Sequence, residues 1–389
     1  MQGHIRKRGR ESWTVVLQVG RDPLTGKRRQ LWRTVKGTKR DAEALLVRLL
    51  HERDTGIDIQ PGRITLGQFL ERWLDDYASH NVAPRTFERY AGIVRKHLLP
   101  ALGRIPLSKL RPQHIQAYYS EALRTGRASG RAPGLSARTV LHHHRLLREA
   151  LQHAVRWQVI ALNPTVAAEP PRPSRTEMQV LGAEGVQKLL AACKDPDLYS
   201  TIFLAIATGL RRGELLALRW SDVDLNGRSI QVTRTLQYIS GRSLLFAEPK
   251  TDRSRRRVAL SEETVTVLSE HRRHQLERRL ALGPAYEDNG LVFPDPLGHP
   301  LPPYRVSQRF ATLVRASGLG PLRFHDLRHT SATLLLRAGV HPKVVSERLG
   351  HAGVSITLDI YSHVLPGLQE DAANLLDAYL VERPAEETR

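Results

Sequence analysis

Apolar residues alternate with other residues through Trp13, Val15, Leu17 and Val19, stop at the turn-forming run DPLTGK, and resume between Gln30 and Val35. A period of two, interrupted by a turn, predicts paired strands. Thr38, with Asp41 three residues on, then opens a helical period through Ala44, Leu45, Leu49 and Leu50 that should stop near Gly56. From Ile64 to Asn163 the period is that of helices. Thr65 and Gln68 make a capping-box pattern ahead of Phe69, Leu70, Trp73 and Leu74, and further helices are expected over 86–98, 112–124 and 136–157, with the Gly/Pro/Arg-rich run 126–135 as a loop.

The proline-rich run AEPPRPSR, 168–175, resists both periods and marks a linker over 165–177. Beyond it, 202–218 reads as helical, Asn226-Gly227 as a turn, Ile230, Val232 and Leu244 to Phe246 as strands, and the chain after Pro302 as mostly helical. The expected fold class is therefore multidomain and mainly α with small β-sheets. It comprises a small β-sheet plus helix (1–57), a helical domain (64–164), a linker (165–177) and an α+β domain (178–389).

At 389 residues and 41% hydrophobic content, the chain can fill more than one core. A formal charge of +20, from 59 Lys and Arg against 39 Asp and Glu, points to a polyanionic partner, nucleic acid before membrane. No stretch approaches the roughly 20 apolar residues that span a bilayer, and the start MQGHIRKRGR lacks the apolar core of a signal peptide, so a soluble, cytoplasmic protein is expected. Cys193 is the single cysteine, which excludes an intramolecular disulfide and a multi-cysteine zinc site; it reads as a small buried apolar residue. His142, His143 and His144 are adjacent, and neighbours on a helix diverge by about 100°, so they cannot converge on one ion; a solvated or DNA-facing helix is the expectation. Arg6, Lys7, Arg8, Arg10, Lys27, Arg28, Arg29 and Arg33 give the N-terminal sheet a basic character suited to a major groove, or simply to solvent.

Four segments of the last domain carry residues suited to holding and activating a phosphodiester. In TGLRRGELLALRW, Gly209 breaks one helix and Arg211 lies near the start of the next; a guanidinium stays charged and can bind two phosphate oxygens, although such an arginine is more often a surface charge. In FAEPKTDRSRRRVAL, two strands joined by a turn would carry Lys250, a proton donor if neighbouring cations lower its pKa and otherwise a solvated lysine. In RFHDLRHTSATLLLRAG, His325 and Arg328 are three residues apart, hence neighbours on one helical face, and the arginine favours a neutral imidazole able to accept a proton; His329 fits a packing role equally well. In SERLGHAGVSITLDIYSHV, His351 follows a glycine stop and Tyr361 lies on the next helix, where a nucleophilic phenol would need a base and a positive field. His363, two residues further, is a structural or oligomer-contact candidate.

Together and in this order, T-G-L-R-x-G-E-L, P-K-T with a basic strand, H-D-L-R-H, L-G-H and I-Y-S-H resemble the phage integrase branch of the tyrosine recombinases, from about Met178 to the C-terminus. The helical middle resembles that family's core-type DNA-binding domain, and the basic N-terminal segment its arm-type DNA-binding domain. The resemblance implies a site-specific recombinase that joins Tyr361 to a DNA 3′ phosphate. It further implies Arg211 and Arg328 on the nonbridging oxygens, Lys250 protonating the 5′ oxygen, His325 aiding proton transfer and His351 hydrogen-bonded to the phosphate. Glu214 and Asp326 become orienting candidates. No metal or other cofactor is implied; double-stranded attachment sites, a homotetramer and DNA-bending or excision accessory proteins are. Residues 368–381 have helical spacing that would pack on a neighbouring subunit or on their own domain. A non-enzymatic DNA-binding regulator and a monomeric relaxing topoisomerase are the competing readings, with Tyr304 and Tyr286 as alternative nucleophiles.

Overall fold

The computed structural model describes residues 3–21, 28–54, 64–125, 134–174, 178–239, 244–248 and 255–361. The chain divides into two units, Met1–Arg175 and Thr176–Arg389.

The first unit opens with an antiparallel sheet in the order β1 (Gly3–Gly9), β2 (Ser12–Arg21), β3 (Arg28–Lys36), followed by α1 (Lys39–Asp54). Thr38 and Asp41 bond one another at the start of α1 as the sequence pattern requires. One sheet face packs Val15, Leu17 and Leu31 against Ala42 and Leu49 of α1. The cross-strand rows His4–Val16–Trp32 and Arg6–Thr14–Thr34 alternate with it and occupy the other face. Sequence periodicity did not reveal β1, because GHIRKRG has Ile5 as its single aliphatic residue.

The helical part of this unit contains α2 (Leu66–Trp73), α3 (Ser79–Asn81), α4 (Pro84–Ile93), α5 (Leu99–Leu102), α6 (Pro112–Thr125) and α7 (Ala137–Arg156). The Thr65–Gln68 capping box starts α2. Wide π-type turns at Leu74–Ala78 and Val94–Leu98 join α2 to α3 and α4 to α5. Trp73, Tyr119, Leu147 and Leu151 lie in the core. His143 and His144 are buried rather than solvated or DNA-facing: their Nδ1 atoms lie 2.7 Å from the hydroxyls of Tyr118 and Tyr119 on α6. The inward face of α7 is wide enough to take both, and tyrosines supplied by another helix satisfy them, which α7's own sequence cannot show.

The expected linker starts too early. Asn163 Oδ1 accepts from Thr165 N at 3.0 Å, a short 3₁₀ turn follows over Pro164–Ala167, and Thr165 and Ala168 are buried. Thr165 and Ala168 thus anchor this turn to the helical domain, and the prolines that suggested an extended linker only follow it.

The second unit starts with α8 (Ala183–Ala192), α9 (Pro196–Thr208) and α10 (Arg212–Leu216). The helical stretch over 202–218 is divided at the break expected at Gly209, which turns left-handed at φ 66° and ends α9. A sheet in the order β4 (Val223–Asp224), β5 (Ser229–Val232), β8 (Arg256–Ala259) and a separate pair, β6 (Thr235–Tyr238) with β7 (Leu244–Ala247), follow. The strands flanking Lys250 are therefore not partners in a hairpin: β7 pairs with β6, and β8 with β5. Apolar alternation identifies a strand but not the strand it bonds to. Next come α11 (Glu262–Leu282), α12 (Pro303–Ser317), α13 (Asp326–Arg337), α14 (Pro342–Leu349) and α15 (Val354–Tyr361). Leu216, Ile230, Val258, Leu268, Phe310 and Leu327 share one core, and Ala332, Leu336, Val345 and Leu349 join α13 to α14 in another. Among the described residues no helix is long and apolar enough to cross a membrane.

Candidate active site

Arg211 is the N-cap residue of α10, placed there by the left-handed turn at Gly209. Its Nη1 donates to Glu214 Oε1 at 2.7 Å, its backbone N–H to Glu214 Oε2 at 3.0 Å, and its Nη2 to the carbonyl of Gly350 at 3.1 Å. Arg328, on the first turn of α13, is buried and donates through Nη1 to the carbonyl of Gly209 at 2.7 Å. Each arginine is thus fastened to the backbone turn beside another site candidate: Arg328 to the turn before Arg211, and Arg211 to the residue before His351.

Gly350 takes φ 67° and ends α14, so the chain can turn sharply into His351. The His351 ring is held by Thr357, whose Oγ1 lies 2.8 Å from Nδ1 and which is fully buried on α15. Burial, then the charges of Arg328 and Arg211, push His351 down to about 4. His325 stands at the residue before α13 and meets His329 edge-on, with ring centroids 5.3 Å apart. Although His325 is exposed on one side, desolvation by the surrounding protein and then Arg328 hold its pKa below the usual imidazole value. His329 is pushed down to about 4, first by burial and then by His325. At neutral pH these imidazoles are uncharged while the guanidiniums remain charged.

Glu214 is an orienting partner, as expected: burial opposes its ionisation, but Arg256 and then Arg211 outweigh that and keep its pKa low. Asp326 instead binds Arg323, through Nη2 at 2.7 Å and the backbone N–H at 2.8 Å, and so braces the loop before α13. Lys250 and His363, like residues 368–381, lie outside the described residues. Tyr361 closes α15, one helical turn beyond Thr357. Tyr304 is engaged edge-on with Tyr238, and the Tyr286 hydroxyl accepts from Gln275 Nε2, so both have partners away from the arginine–histidine cluster. Sequence reasoning missed Arg256, whose guanidinium reaches Glu214, and Thr357. A signal for Arg256 was present: it lies two residues before inward-facing Val258 on β8, hence on the same face.

The phage integrase family model matches residues 179–367, a span that includes Arg211, Lys250, His325, Arg328, His351 and Tyr361, and the phage integrase N-terminal SAM-like domain matches 65–123. A XerC-like tyrosine recombinase of Caldanaerobacter subterraneus subsp. tengcongensis is 30% identical over 391 residues, covering 95% of this chain and 97% of that protein. The chain belongs to the phage integrase family of tyrosine recombinases. This recombinase breaks and rejoins DNA strands at specific sites, integrating or excising a phage or other mobile element. Its fold is that of the Tn1549 transposon integrase solved with a circular intermediate DNA, with a TM-score of 0.67 at 21% identity over 82% of this chain and 100% of that one. A lambda integrase tetramer bound to a Holliday junction superposes with a TM-score of 0.56 at 22% identity, covering 90% of this chain and 95% of that one.

Proposed function

We propose that Tyr361 is the nucleophile and that Arg211, Lys250, His325, Arg328 and His351 serve it. The phenolic oxygen attacks the scissile phosphorus. A phosphotyrosine bond to the 3′ end forms as the bond to the 5′ oxygen breaks; neutral His325 aids removal of the phenol proton, and Lys250 protonates the departing 5′ oxygen. Arg211 and Arg328 hold the nonbridging oxygens as charge develops, and His351 donates to one of them. If Thr357 donates its hydroxyl proton to His351 Nδ1, the ring's own proton lies on Nε2, free for that bond.

The observation that carries this reading is the cross-fastening of Arg211 to Gly350 and of Arg328 to Gly209. Donors anchored before the reaction need no reorganisation during it, and one such donor contributes roughly 10²–10³ in rate elsewhere. The phosphotyrosine conserves the energy of the broken ester, so attack by another 5′ hydroxyl reseals the strand without ATP.

The same reading assigns residues 1–57 to arm-type sites, residues 64–164 to the core site, and a homotetramer on two DNA sites to the complete exchange, with accessory DNA-bending proteins as further partners. The test is a nicked core-site duplex, which traps the covalent adduct when the short 5′ fragment diffuses away. Tyr361→Phe should abolish trapping and leave core-site binding within threefold. Undiminished trapping would move the nucleophile elsewhere.

A further inference from the structure

Beneath the arginine–histidine cluster lies a buried arginine for which the reaction scheme above has no role. Arg256, on β8, donates through Nε to the carbonyl of Arg348 at 2.7 Å and through Nη2 to Glu214 Oε2 at 2.9 Å. Its side chain is 7% exposed and that of Glu214 is 4% exposed. The other oxygen of the same carboxylate receives Arg211 Nη1 at 2.7 Å. The Arg256 guanidinium also packs beneath Gly350: a Cβ there would lie 2.9 Å from Arg256 Nη1 and 3.1 Å from its Cζ. Gly350 is the residue whose carbonyl receives Arg211 Nη2 and which precedes His351. Arg256 therefore touches both attachments of Arg211, the carboxylate and the turn.

We infer that Arg256 is a positioning residue for strand cleavage: it locks Glu214 and the Gly350 turn together, and so holds Arg211 and His351 in register with each other. A planar fork suits the task, because Arg256 meets a carboxylate and a carbonyl in different directions from one rigid group. Its strand is also the one that the segment containing Lys250 leads into, six positions later in the sequence. The alternative is that the Arg256–Glu214 pair merely stabilises the domain. A buried pair is weak evidence of that on its own, since well-packed apolar residues often replace one without loss, whereas removing a single partner leaves an uncompensated charge.

The inference rests on Arg211 and His351 acting at the phosphate, so Arg211→Ala accompanies the test. Full-length Arg256→Met, Arg256→Lys, Glu214→Gln and the Arg256→Met/Glu214→Gln double variant are compared with wild type in three measurements: single-turnover cleavage of the nicked core-site duplex at saturating DNA, affinity for that duplex, and thermal unfolding. Arg256→Met should lower cleavage at saturation at least 50-fold with affinity within threefold, and Arg256→Lys, which keeps the charge without the fork, should recover less than a tenth of the lost rate. The double variant should cleave about as slowly as Arg256→Met while regaining part of the melting temperature, because Glu214→Gln removes a buried carboxylate that has lost one of its two arginines.

A second readout checks that the Arg256 charge reaches His351. His351 is faced by Arg328, Arg211, His329 and Arg256, all of which lower its pKa after burial does. Loss of the Arg256 charge should raise the His351 pKa, read from the pH titration of that ring by NMR in the free protein. Cleavage at saturation within fivefold of wild type in the double variant, or an unmoved His351 titration in Arg256→Met, overturns the inference. If Arg256→Met does not fold, the double variant and Arg256→Lys decide it on the same thresholds. Should Arg211→Ala itself cleave normally, the assignment of the phosphate site fails instead.

Discussion

Arg328 Nη1 donates to the carbonyl oxygen of Gly209 at 2.7 Å, joining residues 119 positions apart. The bond makes the left-handed turn at Gly209 part of the site as well as a helix stop. Gly209 has φ 66°, and a Cβ at this position would lie 2.5 Å from Leu349 Cδ2. The left-handed conformation costs a residue with a Cβ roughly 1–2 kcal/mol before any clash is counted. Gly209→Ala should therefore lose about 1–3 kcal/mol of stability and shift the carbonyl that holds Arg328. We expect cleavage at saturating DNA to fall about tenfold or more, measured beside chemical denaturation. Wild-type cleavage in a destabilised variant would show that the Arg328 anchor is dispensable.

The imidazole pKa values predict an unusual acid limb. His351 titrates at about 4 in the free protein, and His325 lies below the ordinary imidazole value. A group depressed in this way stays neutral until the pH falls through its folded value. The kcat/KM for core-site cleavage, which reports the free enzyme, should carry no limb from His351 between pH 8 and about 5. A limb centred near the ordinary imidazole value of about 6.5 that disappears in His351→Gln would contradict the depressed pKa.

Thr357 gives a third prediction. Its hydroxyl fixes the His351 ring at 2.8 Å, so Thr357→Val, similar in volume, removes the orienting bond while preserving packing. We expect cleavage to fall about tenfold, with core-site affinity within threefold. Thr357→Ser should restore most of the rate. Equal rates in the valine and serine variants would assign Thr357 to packing alone.

In the helical domain, His143 is buried against Tyr118, and burial, then His97, pushes its pKa down to about 4. Between that value and about 6.5 the unfolded chain binds a proton that the folded one does not, so stability is full above about 6.5 and falls as the pH drops towards 4. A shift of this size corresponds to about 3 kcal/mol. Hydrogen exchange at α7 amides in the full chain, corrected for intrinsic rates, should show protection falling across this window. His143→Gln should flatten the slope; an unchanged slope would place its origin in another group.

Deleting residues 1–57 should weaken binding to distal arm sites while leaving core-site cleavage within threefold. The sheet face opposite α1 carries Arg6 and Trp32, the latter 53% exposed, so Arg6→Ala with Trp32→Ala should reproduce much of the loss. Equal affinity of the truncated and full chains for arm-containing DNA would remove the arm assignment.

Local patterns in the sequence determined a great deal. Alternation and helical period located most elements, Thr65 with Gln68 marked the start of α2, Gly209 and Gly350 marked helix ends, and the spaced motifs carried the family and the candidate residues. Such signals act over a few residues, where the chain's own geometry relates one side chain to the next. Tertiary structure alone decided what depended on distant partners: that β8 pairs with β5 rather than β7, that His143 and His144 turn inward to tyrosines of α6, and that Glu214 is shared by Arg211 and Arg256. Three adjacent arginines, Arg255, Arg256 and Arg257, look alike in sequence. Only the packing of β8 buries the middle one and supplies the carboxylate and carbonyl that make burying a guanidinium tolerable.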